Sequence, residues 1–149
     1  MDAAAVAELR WQSVRQLGPR AYSAAQVRAW LPRKDSLAKT RSRCEDGRTV
    51  GLAWVGENLA GVVDLEADGH VDTLYVSPDH SGQGIGTALV RHVERLGRRA
   101  GLGALYTEAS ELARPVFASC GFEDVARNDF TLRGVPIHNY RMRKSLPRG

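Results

Sequence analysis

The stretch "VSPDHSGQGIGTALV", residues 76–90, decides how the rest of the chain reads. An extended apolar run stops at Pro78, and glycines follow at 82, 84 and 86. From Ile85 the apolar residues then recur at helical spacing, through Leu89, Val93 and Leu96. Each glycine costs about 0.5–1 kcal/mol of conformational freedom relative to alanine in regular structure. Three of them between a strand and a helix point to a backbone that something must approach closely. The N-terminus of a helix presents several free N–H groups, reinforced by the helix dipole, so an anion is the favoured visitor. An amide hydrogen bond to a charged phosphate is worth about 1.5–3 kcal/mol, and a β-carbon at Gly84 would keep a diphosphate from collecting several.

Two familiar phosphate loops do not fit. A P-loop needs a lysine and a hydroxyl after its last glycine, and here Thr87 follows Gly86 directly. A dinucleotide fingerprint starting at Gly82 needs glycine at position 87 and a parallel β-α-β setting. The runs before this loop are instead separated by hairpin turns. "TVGLAWV", "LAGVVDLE" and "HVDTLYVS" are divided by "GEN" and "ADG", which predicts a meander of three antiparallel strands.

Upstream, Val6, Leu9, Val14 and Leu17 predict a helix over residues 2–17, ended by "LGP". Ser23 is the predicted N-cap of a second short helix stopped by Pro32. The polar stretch "PRKDSLAKTRSRCEDG" reads as a loop. Downstream, "GALYTEA" predicts a strand, "SELARPVFASCGF" a short helix capped by Ser110 and stopped by Gly121, and "DFTLRGVPIHNYRMRKSL" a final hairpin. The expected class is α+β with a mixed, mostly antiparallel sheet, in a single domain spanning residues 1–149.

The bulk properties agree with that class. The 149 residues are 43% hydrophobic and 26% charged, with a net charge of +4. No apolar run reaches the roughly 18–20 residues that cross a bilayer, and the alanine-rich start lacks a basic leader. Cys44 and Cys120 make neither a disulfide framework nor a metal knuckle, which predicts a reduced, soluble, cytoplasmic protein without a metal. Arginines outnumber lysines, yet no basic stripe with interleaved aromatics marks a nucleic-acid face.

"VSPDHSGQGIGTAL" resembles motif A of the GNAT superfamily of N-acetyltransferases, V-x-P-x-x-[RQ]-x-x-G-x-[GA]. "SELARPVFASCGF" resembles motif B, N-x-x-A-x-x-[LF]-Y-x-x-x-G-F, through Ala113, Val116, Gly121 and Phe122. With the order of elements, the resemblance covers nearly the whole chain, and several segments are similar to a bacterial subgroup of largely unassigned substrate. It implies acetyl-coenzyme A as cosubstrate and a primary amine, on a small molecule or a protein, as acceptor. Backbone groups of Leu74 and Val76 would pair with the pantetheine arm. Ser81, Gly82, Gln83, Gly84, Gly86 and Thr87 would surround the pyrophosphate, while Ser110, Ala113 and Phe117 would border the thioester end.

The sequence departs from the family at four places. Ser81 stands where Arg or Gln is usual, and Ser110 replaces the motif B asparagine. Phe117 replaces the tyrosine that often protonates the leaving thiolate, with Tyr75, Tyr106 and Tyr140 as stand-ins. The given sequence begins inside the first helix, so the strand that usually precedes it is either absent or outside this sequence; if absent, an exposed neighbouring edge would favour a homodimer.

A lysine-like amine must lose a proton before attack, at a cost of about 4–5 kcal/mol at neutral pH. Alternation along "HVDTLYVS" puts His70 and Asp72 on the face of Leu74 and Val76, which makes them the candidate catalytic base residues. Glu108 is a third candidate. Cys120 reads as core packing rather than as a nucleophile, and His80 and His138 as surface residues. Tyr22 and Trp30 belong to the helix pair that borders the acceptor in this family. The competing function is a coenzyme A-binding regulatory module with little or no turnover.

Overall fold

The computed structural model describes residues 3–31 and 36–147; Asp2, the stop expected at Pro32 and the side chain of Cys44 lie outside what is described. Helix α1 (Ala3–Leu17) buries Val6, Leu9 and Val14, and a short turn through Gly18 and Pro19 ends it. Helix α2 (Ala24–Trp30) opens on a full capping box. Ser23 Oγ accepts the Gln26 N–H at 3.1 Å, and Gln26 Oε1 accepts the Ser23 N–H at 2.9 Å. The polar stretch expected to be a loop contains helix α3 (Ser36–Glu45), which packs against α1 and buries Thr40. No glycine or proline interrupts it, and Ala38, Lys39, Arg41 and Glu45 are good helix formers. Tertiary contact with α1 supplies the rest.

Strands β1 (Thr49–Val55) and β2 (Asn58–Leu65) form the expected hairpin, with an irregularity at Ala53 and Trp54. β2 is buried on both faces because α1 covers one and helix α4 (Ile85–Arg99) the other. Val6 and Leu9 meet Val62 on the α1 side, and Leu89, Val90 and Val93 cluster with Val63 on the α4 side. α4 lies so near β2 that a β-carbon on Gly61 would come within 2.7 Å of Leu89 Cδ1.

The third predicted strand is broken in two. β3 (His70–Val71) pairs in parallel with β5 (Ala104–Ala109), whereas β4 (Leu74–Val76) pairs antiparallel with β2. The cause is the carboxylate of Asp64, which is 3% exposed. Its Oδ1 accepts the N–H groups of Asp72 at 2.9 Å and Thr73 at 2.8 Å, and its Oδ2 accepts from Arg48 Nη1 at 2.9 Å. Those two N–H groups therefore leave the ladder, and the chain forks between two sheets, β1-β2-β4 and β3-β5-β7-β6.

After β5 comes helix α5 (Arg114–Ser119), ended by Gly121 at φ +92°. Its N-cap is Ala113 rather than Ser110. The Ser110 hydroxyl instead accepts the Ala113 N–H at 3.1 Å, closing the turn ahead of the helix. β6 (Glu123–Leu132) and β7 (Val135–Ser145) form the last hairpin, whose tip turns through Arg133 and Gly134, both at positive φ. Arg133 Nη1 donates from that tip to the carbonyls of Ala29 and Leu31 at the end of α2, each at 2.7 Å. Among the described residues no strand precedes α1, and no helix is long and apolar enough to cross a membrane.

Candidate functional site

The fork opens a cleft of about 370 Å³ between β4 and the segment leading from β5 into α5. Ser77 N donates to Ala60 O, and Asp64 N to Thr73 O, so residues 73, 75 and 77 bond β2. Alternation then turns the backbone groups of Leu74 and Val76 away from β2, toward the cleft, where no strand among the described residues pairs with β4. Both residues line it. Ser81, Gly82, Gly84, Gly86 and Thr87 line its end, and Ser110 and Ala113 the facing wall.

Gly84 is the N-cap of α4 at φ +82°, with no side chain capping the helix. Ala88 is the first residue to donate back, to Gly84 O at 3.0 Å, so Ile85, Gly86 and Thr87 present N–H groups without intrahelical acceptors. A β-carbon built on Gly82 or Gly84 meets nothing within 4 Å, so the backbone there faces open space. Gln83 is exposed and does not line the cleft; its Oε1 lies 3.4 Å from His80 Nδ1. His80, read from sequence as a surface residue, borders the same cleft, as does Arg20.

A second, smaller cavity of about 120 Å³ adjoins the first, and Leu74, Tyr75, Ser110 and Ala113 line both. Tyr22 and Trp30 form an aromatic wall, their rings edge-to-face at 5.4 Å. Asp72 and Glu108 border the cavity, and among the described residues no lysine or arginine does. Phe117 does not reach the first cleft. It is 1% exposed in the main core, edge-to-face with Phe122, and touches only the second cavity. Cys120 is likewise core, 1% exposed.

His70 and Asp72 stay together across the strand break, with side-chain polar atoms of Glu66, His70 and Asp72 all within 4.8 Å of one another, but of the two only Asp72 lines a cavity. Asp72 faces the second cavity, where its carboxylate accepts from Arg48 Nη1 at 3.0 Å. Arg48 is held more firmly cationic than a free arginine, first by Asp46, with Asp64 and Asp72 adding to it against the opposing effect of burial. His70 lines neither cavity. Its Nδ1 lies 2.9 Å from Glu66 and its Nε2 2.9 Å from Glu108, and its ring stacks on Tyr106 at 4.8 Å. Burial pushes the His70 pKa down, but the Glu66 and Glu108 carboxylates outweigh it and the net shift is upward. An imidazole with a carboxylate on each nitrogen favours its charged form and has no lone pair to offer. His70 thus sits in a carboxylate cluster beside the cavity that Asp72 and Glu108 border, with its protonated form favoured.

The upward shift carries a stability consequence. The protonated folded form is favoured, so this contribution is complete below the ordinary value of 6.5 and is lost as pH rises through the higher folded value. Urea unfolding of the parent chain and His70→Gln from pH 5.5 upward should therefore give curves that converge as pH rises. Parallel curves would refute the assignment.

The three tyrosines separate too. Tyr106 donates to Asp68 at 2.5 Å, which with burial pushes its phenol up to about 12, and it lines neither cavity. Tyr140 donates to Glu111 at 2.6 Å, which raises its pKa. Tyr75 lines both cavities.

Sequence reading missed Glu111 and His138. His138 Nε2 lies 2.6 Å from Glu111 Oε1, and His138 borders the second cavity. The spacing of His138 and Tyr140, two apart on one strand, was the available signal.

The family model of the acetyltransferase (GNAT) domain matches residues 19–144. YafP, an N-acetyltransferase of Escherichia coli K12, is 26% identical over 127 residues, covering 82% of this chain and 75% of YafP. A GCN5-related N-acetyltransferase crystal structure from Rhodopseudomonas palustris superposes with a TM-score of 0.90 at 34% identity, covering 97% of this chain and 90% of that one. The acetyltransferase YncA of Salmonella typhimurium, solved with its cofactor acetyl-CoA, shares the fold at a TM-score of 0.72 and 19% identity, over 99% of this chain and 90% of its own. The glycine-led helix, the forked sheet and these matches agree: the chain belongs to the GNAT superfamily of N-acetyltransferases.

Proposed function

We propose that this acetyltransferase moves an acetyl group from acetyl-coenzyme A to a primary amine by direct attack within a ternary complex. The observation that carries the reading is the continuity of the two cavities. The first offers outward-facing backbone at Leu74 and Val76 and free amides from Ile85 to Thr87; the second begins where Leu74 and Ser110 border both.

The residues present suit the cosubstrate. A pantetheine arm carries amides that would pair with Leu74 and Val76 as an added strand does. A pyrophosphate would take the amides around Gly82, Gly84, Gly86 and Thr87, with Ser81 at the same end and Arg20 supplying positive charge. Ser81 replaces a longer side chain without removing any amide, so binding survives that change. Ser110 and Ala113 would border the thioester. Gln83 does not line the first cavity, and Phe117 borders only the second, with Ser110 and Ala113.

An amine acceptor follows from the second cavity. Asp72 and Glu108 favour an arriving ammonium and disfavour an anion. The amine nitrogen would attack the acetyl carbon, forming the C–N bond as the C–S bond breaks and the coenzyme A thiolate departs. Phe117 supplies no proton to that thiolate; Tyr75, which lines both cavities, is the candidate phenol. Nothing in this scheme requires a metal, a membrane or a nucleic acid, and it operates in the cytoplasm, where acetyl-coenzyme A is made.

Calorimetric titration with acetyl-coenzyme A, followed by thiol release with a panel of primary amines, tests the reading. Micromolar binding with amine-dependent thiol release is expected. Binding without release by any amine would favour a regulatory coenzyme A-binding module, and absent binding would remove the reading altogether.

A further inference from the structure

We propose that His138, oriented by Glu111, is the residue that takes the proton from the acceptor amine. The proposal rests on the acetyl-transfer reading above and names a base other than His70 and Asp72, whose polar atoms are engaged within the carboxylate cluster.

Several contacts fix the pair. Glu111 Oε1 accepts from His138 Nε2 and from the Tyr140 hydroxyl, each at 2.6 Å. The Tyr22 hydroxyl accepts the Glu111 N–H at 2.8 Å and donates to the His138 carbonyl at 3.1 Å. Residues 111 and 138 are therefore tied to each other twice, once through their side chains and once through Tyr22. The Tyr140 hydroxyl, followed by His138, holds the Glu111 carboxyl below its usual range, so Glu111 is an anion.

An ionised carboxylate can only accept. The proton of a neutral His138 ring must then sit on Nε2, leaving the lone pair on Nδ1. Among the described residues no side chain or backbone group bonds that Nδ1. His138 borders the second cavity, as do Asp72 and Glu108. Those two carboxylates are already engaged, Asp72 by the Arg48 guanidinium and Glu108 by the His70 ring. They serve better as counter-charges for an arriving ammonium than as proton acceptors, and the roles divide accordingly.

The protons balance as follows. His138 Nδ1 removes one proton from R–NH3+, giving R–NH2. The nitrogen lone pair forms the bond to the acetyl carbon, and the C–S pair leaves on sulfur. The second proton shed by nitrogen neutralises the thiolate, so the products are the N-acetylated amine and coenzyme A thiol. His138 returns its proton to water.

Two measurements decide the matter. The first needs no acceptor: long-range 1H–15N spectra of histidine-labelled protein at pH 8.5, with His138→Gln used to assign the signal. The neutral ring is expected to carry its proton on Nε2, and a proton on Nδ1 would overturn the proposal. The second uses benzylamine and 1,4-diaminobutane as probe acceptors. His138→Gln should lower kcat by about 100-fold or more while leaving the acetyl-coenzyme A dissociation constant within twofold. Glu111→Ala should lower kcat by at least about tenfold, and Glu111→Gln, which keeps an acceptor oxygen, should restore part of the loss. Wild-type kcat in His138→Gln would refute the assignment while leaving acetyl transfer intact. A parent chain that binds no acetyl-coenzyme A would instead remove the proposed function, and the tautomer spectrum would still report on His138.

Discussion

A Gly84→Val variant is expected to bind acetyl-coenzyme A at least about 100-fold more weakly than the parent chain while remaining folded. Gly84 sits at φ +82°, where a β-branched residue costs about 1–3 kcal/mol. Its β-carbon direction opens into the cleft with nothing within 4 Å, so the added side chain stands over the first amides of α4. Losing two charged amide hydrogen bonds removes about 3–6 kcal/mol, and about 1.4 kcal/mol is tenfold in affinity. Gly56 supplies the control. It also has positive φ, +59°, with open space around it, but lies in the β1–β2 turn. Gly56→Val should lower the melting temperature and leave the dissociation constant unchanged. Parent-like affinity in Gly84→Val would place the pyrophosphate elsewhere.

Asp64→Ala should destabilise the fold by about 3–5 kcal/mol, the range for removing one partner of a buried ion pair. The substitution leaves Arg48 without its most buried carboxylate and the N–H groups of Asp72 and Thr73 without their acceptor. Asp64→Asn keeps an oxygen for the two amides and should fall between the parent and Asp64→Ala. Urea unfolding measures both. A loss below about 1 kcal/mol in Asp64→Ala would mean that the fork is held by something other than this carboxylate.

Much of the fold was legible because its signals are local. The apolar face of α4, the capping box at Ser23, the hairpin turns and the stop at Gly121 each depend on residues a few positions apart. The approach of Leu74, Val76 and the glycines to one cleft was implied by the resemblance to motif A, which one short stretch carries. What escaped depends on contacts across the chain. The helix at Ser36–Glu45 lacks a strong apolar stripe and is completed by α1. The break after Val71 is caused by a carboxylate on the preceding strand, which alternation along "HVDTLYVS" cannot register. Across that break only Asp72 of the pair lines a cavity, while His70 stays beside it in the carboxylate cluster. His138 and Glu111 stand 27 residues apart and meet only through β7 and the turn after β5.

The clasp between the β6–β7 tip and α2 bears on the order of folding. α2 has seven residues, too few to persist alone in water. The ties of α2 and its flanking residues Tyr22 and Leu31 to Arg133, Pro136 and His138 close separations of 102 to 116 residues. Contacts that distant form late, because the loop entropy must be met before any of them contributes. On a ribosome, the glycine-led helix and its strand emerge well before the C-terminal hairpin. The aromatic side of the acceptor cavity, Tyr22 and Trp30, therefore settles only after the β6–β7 hairpin has been made.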